Sequence, residues 1–239
     1  MSKFNGIYAA SISILDHNLK LDVTKTIRHS ENLIKSGCHG AVLFGSTGQS
    51  QLISLEEKTH LVEEASKSHF KDKFIIGTGL NSLQDNISFI RLSNSFNFNN
   101  FLIMPPAYYM YEDKDVIRFY KNLIEKVSKS KIILYNFEKL SGYKFSEDCV
   151  KKLVSFFPEN IVGVKDSSYN LFESLNIENF SVLPGSELKL LKGLEIGCSG
   201  IITATCNVTA NLSRKVYDDF INKKNQAHND KLCDVRKAF

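Results

Sequence analysis

Apolar stretches alternate with amphipathic helical stretches along most of the chain, and this pair recurs eight times. Short apolar or β-branched runs indicate strands, and apolar positions three or four residues apart indicate helices. The predicted strands cover 8–14, 41–45, 74–79, 100–104, 131–136, 161–165, 180–183 and 200–206. The predicted helices cover 23–36, 82–95, 114–128, 146–156, 171–176, 188–196 and 210–222. One further helix begins at Ser54, where Glu57 completes a capping box.

Eight strand–helix repeats predict an α/β fold, more specifically a (β/α)8 TIM barrel. An open doubly wound sheet would carry a GxGxxG turn after an early strand, and the segment Gly45-Ser46-Thr47-Gly48-Gln49 lacks that pattern. We expect one barrel domain over residues 1–222. Residues 223–239 are expected to begin a C-terminal helical extension that is truncated.

Lys165 follows an apolar, β-branched run, Ile161-Val162-Gly163-Val164, and precedes a small polar run. The apolar run is typical of a strand that is buried on both faces of a parallel sheet. A buried ammonium group is costly, which favours the neutral amine, a nucleophile towards carbonyl carbon atoms. Most strand-end lysines reach into water instead, so Lys165 is a candidate nucleophile that depends on its neighbours.

The carboxyl ends of the other predicted strands carry small, hydroxyl and phenol groups. In a (β/α)8 barrel these ends meet at one face, where the chemistry takes place. The residues there include Ser46, Thr47, Gly48, Tyr108, Tyr135, Gly185, Glu187 and Thr203. Small residues leave backbone N–H groups open to a carboxylate. Tyr135 can pass a proton to a carbonyl group that Lys165 attacks.

Composition and charge argue against several other classes of protein. The chain has 239 residues, and its formal net charge of +4 is spread without a basic block that would indicate nucleic acid binding. No run of about 18 apolar residues predicts a membrane span, and the first residues lack a signal peptide, so we expect a cytoplasmic protein. Five cysteines and six histidines form no metal-ligand pattern, and no cofactor is expected.

Seven short motifs, spread in order over roughly residues 6–220, resemble those of one enzyme family. The motifs are Gly45-Ser46-Thr47-Gly48, Gly77-Thr78-Gly79, Pro106-Ala107-Tyr108-Tyr109, Leu134-Tyr135-Asn136, Gly163-Val164-Lys165-Asp166, Pro184-Gly185-Ser186-Glu187 and Asn207-Val208. With these motifs the chain resembles the dihydrodipicolinate synthase and N-acetylneuraminate lyase family of pyruvate-dependent class I aldolases. A single short motif would be weak support for this resemblance, but seven motifs in the same order are strong support.

The resemblance implies a mechanism and a homo-oligomer, dimer or tetramer. Lys165 would form a Schiff base with the keto carbon of pyruvate or another 2-keto acid, and Tyr135 would be the acid/base. Ser46 and Thr47 would bind the substrate carboxylate. Thr47 would also connect Tyr135 to Tyr108, which in this family reaches the neighbouring subunit's site. The other substrate contacts that the resemblance implies are Gly48, Gly185, Glu187, Ile202 and Thr203.

Departures from the family pattern bear on the substrate. Dihydrodipicolinate synthases carry an arginine in a Pro-x-Arg-x-Gly segment, where this chain has Glu138 and Leu140 in place of proline and arginine. A leucine cannot bind a second carboxylate bidentately, and Lys139 would act only as a point charge. With Leu140 in this position, we expect the outer half of the pocket to lack the fork that would bind a second carboxylate. This favours a 2-keto-3-deoxy sugar acid aldolase, whose hydroxyl groups would be bound by Ser141, Thr203 and Thr205.

Other functions stay open at this point. A dihydrodipicolinate synthase of lysine biosynthesis would need the missing arginine. N-acetylneuraminate lyases carry a hydroxyl residue where this chain has Ala204. A barrel that binds a keto acid without turnover would represent a different class of function, since a fold does not determine an activity. A phosphate-binding barrel would need a glycine-rich loop after strands seven and eight, which this chain has only in a poor form.

Overall fold

Eight parallel strands lie side by side around the centre of the protein, and helices cover them on the outside. The computed structural model describes residues 4–239. The strands are β1 (Gly6–Ala10), β2 (Gly40–Leu43), β3 (Phe74–Gly77), β4 (Asn100–Ile103), β5 (Lys131–Asn136), β6 (Ile161–Asp166), β7 (Ser181–Pro184) and β8 (Gly200–Thr203).

Neighbours in the sequence are also neighbours in the sheet, from β1 through to β7, and β8 pairs with β1. The gap between β7 and β8 is bridged by the N–H of Ser199, which donates to the carbonyl oxygen of Val182 at 2.9 Å. The sheet is therefore nearly closed, and the predicted (β/α)8 TIM barrel is confirmed.

The α-helices of the described residues are α1 (Val23–Lys35), α2 (Leu55–Ala65), α3 (Leu83–Ser95), α4 (Asp113–Ile124), α5 (Glu138–Ser141), α6 (Glu147–Phe156), α7 (Leu190–Glu195), α8 (Cys206–Ile221) and α9 (Asn229–Lys237). Four of these helices begin at a polar side chain that accepts an N–H of the first turn, at Asp22, Ser54, Ser82 and Ser146. Ser54 and Glu57 form the predicted capping box. None of these helices is long and apolar enough to span a membrane.

The helix predicted over 171–176 is wrong, because this segment forms a turn. The carboxylate of Asp166 accepts the N–H groups of Leu171 and Phe172, at 2.9 Å each. The N–H of Leu175 donates to the carbonyl oxygen of Leu171 at 2.8 Å, so the segment makes one turn that does not continue into a helix. The short helix α5 was not predicted from the sequence.

Apolar side chains form one layer inside the barrel and another between strands and helices. The interior cluster contains Ala10, Val42, Ile75, Leu102, Met104, Ile133, Tyr135, Val162, Leu183 and Ile202. The outer layer contains, among others, Ile132, Leu134, Ile161 and Val164. Successive residues of β5 thus alternate between the two layers, as expected of a strand. Tyr135 consequently faces the barrel interior near the carboxyl end of its strand.

The register between β5 and β6 changes once. Ile132 pairs with Ile161, whereas the next residue of β5 pairs with Gly163, so Val162 has no partner in β5. An extra residue of this kind is a β-bulge. Gly163 has no room for a side chain, because a Cβ there would lie 2.7 Å from the carbonyl oxygen of Ser181.

The C-terminal helix α9 packs on α8 and on the 3₁₀ turn Glu187–Lys189 that follows β7. Its Leu232 is fully buried in a cluster with residues of α7 and α8. Arg236 lies one helical turn after Leu232, and residues four apart share one face of a helix. The burial of Leu232 therefore directs Arg236 towards the carboxyl end of the barrel.

Candidate active site

Lys165 and Tyr135 occupy directly paired positions on β6 and β5. Both side chains are almost completely buried, with 3% of Lys165 exposed. The Nζ atom of Lys165 lies 4.1 Å from the centre of the Tyr135 ring. This close packing fixes the lysine side chain on the face of a phenol and keeps most water away from it.

The Tyr135 hydroxyl is held by a residue from the loop after β2. Its oxygen lies 2.8 Å from the Oγ of Ser46, and either group can be the donor. A hydroxyl pair of this kind can pass a proton in either direction. The arrangement therefore joins an amine from β6, a phenol from β5 and an alcohol from the loop after β2.

The ends of β5 and β6 are fastened to each other by buried polar side chains. Asp166, directly after Lys165, accepts from the Nδ2 of Asn136 and from the N–H of Tyr169, at 2.8 and 2.9 Å. The Oδ1 of Asn136 accepts the N–H of Phe145 at 3.1 Å. With the two bonds from Leu171 and Phe172, the Asp166 carboxylate has four donors. These bonds fix the positions of both strand ends, and hence of Lys165 and Tyr135.

Two adjoining cavities lie at this end of the barrel. The polar cavity, of about 450 Å³, is lined by Ser46, Thr47, Tyr135, Lys165 and Gly185, and by further polar residues described below. The apolar cavity, of about 260 Å³, is lined by Phe44, Leu52, Leu102, Met104 and Leu140, among others. Ser46 and Tyr135 border both cavities, so the reactive groups lie where the two meet.

In a comparison with known proteins, a model of the dihydrodipicolinate synthetase family matches residues 3–239. The chain belongs to that family. A curated relative, the 4-hydroxy-tetrahydrodipicolinate synthase of Methanoculleus marisnigri, is 27% identical over 226 residues, which cover 91% of this chain and 76% of the relative. The synthase of Listeria monocytogenes serotype 4b is 29% identical over 219 residues, covering 87% and 74%.

Solved structures share the fold of this dihydrodipicolinate synthetase family member. YagE, a prophage protein of the dihydrodipicolinic acid synthase family from E. coli K12 solved in complex with pyruvate, has a TM-score of 0.88 at 24% identity. The comparison covers 99% of this chain and 83% of that protein. The 2-keto 3-deoxygluconate aldolase of Picrophilus torridus has a TM-score of 0.85 at 23% identity, covering 98% and 84%. The chain is thus an enzyme of a family of carbon–carbon lyases, whose members are named after different substrates.

The family motifs predicted the residues of the polar cavity only in part. Ser46, Thr47, Tyr135, Lys165 and Gly185 all line it. A Cβ at Gly185 would lie 2.3 Å from the Oγ of Ser167, so the glycine lets two loops of the cavity wall approach closely. The lining does not include Gly48, Glu187, Ile202 or Thr203.

Tyr108 lies apart from the other predicted catalytic residues. It is 90% exposed, and its ring packs edge-on against Tyr109, with 5.1 Å between the ring centres. Its backbone is left-handed, with φ of 87°, which is rare for a residue with a side chain. Among residues 4–239, no hydrogen bond connects Thr47 to Tyr108 or to Tyr135, and Ser46 is the residue that contacts Tyr135.

Glu187 and Thr203 lie behind the cavity wall and bind each other. The Oγ1 of Thr203 donates to one oxygen of Glu187 at 2.8 Å, and the Oγ1 of Thr209 donates to the other at 3.1 Å. Both carboxylate oxygens therefore already have donors, and the side chain is fully buried. Ser141 is also buried, and its hydroxyl bonds to the carbonyl oxygens of Phe137 and Tyr143, so it does not reach the polar cavity.

The sequence motifs did not predict Arg236, whose guanidinium group lines the polar cavity. Leu140, where the synthases carry their arginine, lines the apolar cavity instead. Arg236 comes from α9, which no family motif covers. The only sequence signal for its position is its spacing from the apolar Leu232, and that spacing does not reveal what the helix faces.

A second buried lysine lies outside both cavities. Lys58 of α2 is fully buried, its Nζ donates to the carbonyl oxygen of Thr78 at 2.7 Å, and it lies 5.9 Å from the centre of the Phe44 ring. Burial lowers its pKa to about 8. It is absent from the lining of the polar cavity, so the geometry favours Lys165 as the nucleophile. Within residues 4–239, no three His, Cys, Asp or Glu side chains are grouped in a way that could hold a metal ion.

Proposed function

We propose that this enzyme makes or breaks a carbon–carbon bond between pyruvate and an aldehyde through an imine at Lys165. The observation that carries the proposal is the buried contact between the Lys165 amine and Tyr135, whose hydroxyl is bonded to Ser46 at the edge of a polar cavity. A buried amine beside a proton-transfer group is the arrangement that imine chemistry requires.

In the condensing direction, the Lys165 amine adds to the keto carbon of pyruvate, and loss of one water molecule gives a protonated imine. The imine withdraws electrons, so the adjacent methyl group loses a proton and an enamine forms. The enamine carbon then bonds to the aldehyde carbon, and the aldehyde oxygen takes up a proton. Water hydrolyses the imine and releases the product with the free amine. Cleavage runs the same steps in reverse.

The chain's own residues supply the proton transfers and the orientation of the substrate. The Tyr135 hydroxyl is the group that delivers and removes protons at the reacting oxygen, and Ser46 keeps this hydroxyl in place. Hydroxyl and backbone N–H groups of Ser46 and Thr47 are the partners for the pyruvate carboxylate. Because Lys165 is packed against the Tyr135 ring, the imine carbon forms close to the proton donor.

The aldehyde that we propose is hydroxylated, so that the product is a 2-keto-3-deoxy sugar acid. Three residues with hydroxyl groups, Ser167, Ser168 and Tyr169, line the polar cavity together with Lys165. Hydroxyl side chains both donate and accept hydrogen bonds, which suits a polyhydroxylated chain. Leu140 provides no such contact and lies on the side of the apolar cavity.

A second candidate is the condensation of pyruvate with aspartate semialdehyde, the reaction of a 4-hydroxy-tetrahydrodipicolinate synthase. Two observations favour it: the curated relatives carry that name, and Arg236 supplies a guanidinium group to the polar cavity. N-acetylneuraminate cleavage has no comparable support, since Ala204 lines the cavity without a hydroxyl group.

The deciding experiment is reduction with borohydride in the presence of pyruvate, followed by intact mass and peptide mapping. We expect one reduced pyruvyl group per chain, attached to Lys165. The Lys165→Met variant should not be labelled, whereas Lys58→Met, which removes the other buried lysine, should be labelled like the wild type. A pyruvyl group on another lysine in Lys165→Met would overturn the assignment. Labelling without turnover of any aldehyde would instead indicate a barrel that only binds a keto acid.

We also infer that the enzyme is a homo-oligomer, either a dimer or a tetramer, in which Tyr108 completes a neighbour's site. In support, the exposed aromatic side chains of Tyr108 and Tyr109 adjoin the exposed Met110, an apolar surface that is unusual for a monomer. Light scattering on the active enzyme tests this inference. A fully active monomer would contradict it.

A further inference from the structure

Arg236 reaches the catalytic cavity from outside the strand–helix repeats that supply its other polar residues. It lies on α9, and it lines the same polar cavity as Lys165. Leu232, one turn earlier, is fully buried, so the position of this helix on the barrel is well defined by packing. The guanidinium group is therefore a fixed feature of the cavity.

The contacts of Arg236 hold one edge of its guanidinium group and leave the other edge without a partner. Its Nε donates to the Oγ of Ser186 at 3.3 Å and lies 3.6 Å from an oxygen of Glu187. Within residues 4–239, the two Nη groups have no hydrogen-bond acceptor, and the side chain is 28% exposed. Two parallel N–H groups on one planar edge form a fork that fits two oxygen atoms of an oxyanion.

The ion pair with Glu187 positions Arg236 without using up this fork. Both oxygens of the buried Glu187 carboxylate already accept hydroxyl groups, from Thr203 and Thr209. Glu187 therefore offsets part of the cost of burying a guanidinium group while leaving its Nη groups free. An ion pair between Arg236 and Glu187 that only docked α9 would not need to place a guanidinium group in the wall of the catalytic cavity.

The lining of the polar cavity also includes three residues with hydroxyl groups, Ser167, Ser168 and Tyr169. Tyr169 has a left-handed backbone, with φ of 59°, and its N–H is held by the carboxylate of Asp166. A non-glycine residue kept in this conformation is often part of a functional site. The same cavity thus offers an amine for the keto carbon, hydroxyl groups and a guanidinium group.

We propose that Arg236 binds an oxyanion, a phosphate or a carboxylate, at the end of the aldehyde that is remote from the new carbon–carbon bond. The inference rests on the proposed function, because it names the substrate class for the same imine-forming site. Arg236 supplies this charged contact at a different place from Leu140. A residue of α9 therefore binds the distal group of the aldehyde.

The test compares matched pairs of aldehydes with saturating pyruvate, and the readout is the initial rate of pyruvate consumption. Glyceraldehyde 3-phosphate is paired with glyceraldehyde, and succinic semialdehyde is paired with butanal. We expect the wild type to prefer the anionic member of at least one pair in kcat/KM. The pair with the larger preference identifies the source of the oxyanion as phosphate or carboxylate.

In Arg236→Gln that preference should fall roughly 10- to 100-fold, as expected when a charged bidentate contact is lost. The rates with the neutral aldehydes should change little. Arg236→Lys, which keeps the charge and the contact with Glu187, should retain an intermediate preference. Lys237→Gln, the neighbouring residue of α9 that is ion-paired with Asp234, is the matched control and should behave like the wild type.

Equal losses with anionic and neutral aldehydes in Arg236→Gln would overturn the proposal, because they would indicate a role in docking α9 alone. A wild type without any preference for anionic aldehydes would also overturn it. Borohydride trapping of pyruvate separates this failure from a failure of the proposed function. If Lys165 is labelled in Arg236→Gln and the preference is unchanged, only the role of Arg236 is wrong.

Discussion

Tyr135 and Lys165 are partners across two hydrogen-bonded strands, and the lysine Nζ lies 4.1 Å from the centre of the tyrosine ring. Paired residues of parallel strands project to the same side of the sheet, so this geometry comes from the backbone ladder. The contact does not depend on a mobile loop. The two strands therefore place the amine and the phenol side by side.

Replacing Tyr135 with phenylalanine should slow turnover by roughly 10²–10⁴-fold, the usual contribution of a positioned proton-transfer group. The ring that packs on Lys165 is kept, so borohydride should still trap pyruvate, although more slowly. Steady-state rates and trapping rates measure the two effects separately. Tyr8→Phe is the control, because Tyr8 packs against the interior cluster but its hydroxyl bonds to the Asn5 carbonyl. Turnover near the wild-type rate in Tyr135→Phe would exclude the phenol from the mechanism.

Replacing Asp166 with asparagine should lower the free energy of unfolding by about 1–3 kcal/mol. The carboxylate accepts four hydrogen bonds, and an amide has one oxygen, so its NH2 group would face the N–H groups of Leu171 and Phe172. Urea denaturation measures the loss. The exposed Asp148→Asn on α6 removes the same charge and should change stability little. Equal stability of the two variants would contradict the role that we assign to Asp166.

Because of Lys58, the free energy of unfolding should increase as the pH rises from about 8 towards about 10. Burial lowers its pKa to about 8 in the folded state, against about 10.4 in the unfolded chain. In this window the unfolded chain binds the additional proton, so raising the pH favours folding. The cost of the buried charge is present below about pH 8 and is relieved above it.

Urea denaturation of the wild type and Lys58→Met at about pH 7 and about pH 9.5 tests the effect of Lys58. The wild type should gain about 2 kcal/mol relative to the variant across this range. The exposed Lys215→Met should follow the wild type at both pH values. A constant difference between the wild type and Lys58→Met would show that the lysine is charged throughout.

A 2-keto-3-deoxy sugar acid should be cleaved or formed with a higher kcat/KM than that for the condensation of aspartate semialdehyde. Leu140 provides no fork for the second carboxylate beside Tyr135, and restoring an arginine with Leu140→Arg should raise the relative kcat/KM for aspartate semialdehyde about tenfold or more. Leu52→Arg, also in the apolar cavity, is the control. A wild type with the higher kcat/KM for aspartate semialdehyde would favour the synthase as the function.

The barrel and the reactive pair could be predicted because short local patterns determine them. Each strand is an apolar run, and Lys165, Tyr135 and Ser46 follow such runs directly, so the parallel order of the strands brings them together. Side-chain contacts between elements were harder to predict. Glu187 and Thr203 lie at strand ends like Lys165, yet they bind each other behind the cavity wall.

Arg236 and the turn at 171–176 illustrate the two limits of sequence reasoning in this protein. The apolar spacing around Leu171 is compatible with a helix, but the segment makes only one turn, which the carboxylate of Asp166 holds through two N–H groups. Arg236 has no motif around it, and its approach to the catalytic lysine depends on how α9 packs against the rest of the barrel. The packing of α9 is not local in the sequence, and the Asp166 bonds, although local, have no motif that distinguishes a turn from a helix.

Val162, the residue of β6 without a partner in β5, matters for any attempt to build this active site into another barrel. Ile161 belongs to the outer layer, and in a regular strand every second residue after it, including Lys165, would point outwards as well. The bulge at Val162 reverses that parity, so the amine points inwards beside Tyr135. A designed barrel with uniform strands that received the same residues would aim its lysine at the surrounding helices, unless the irregularity and Gly163 were transplanted with it.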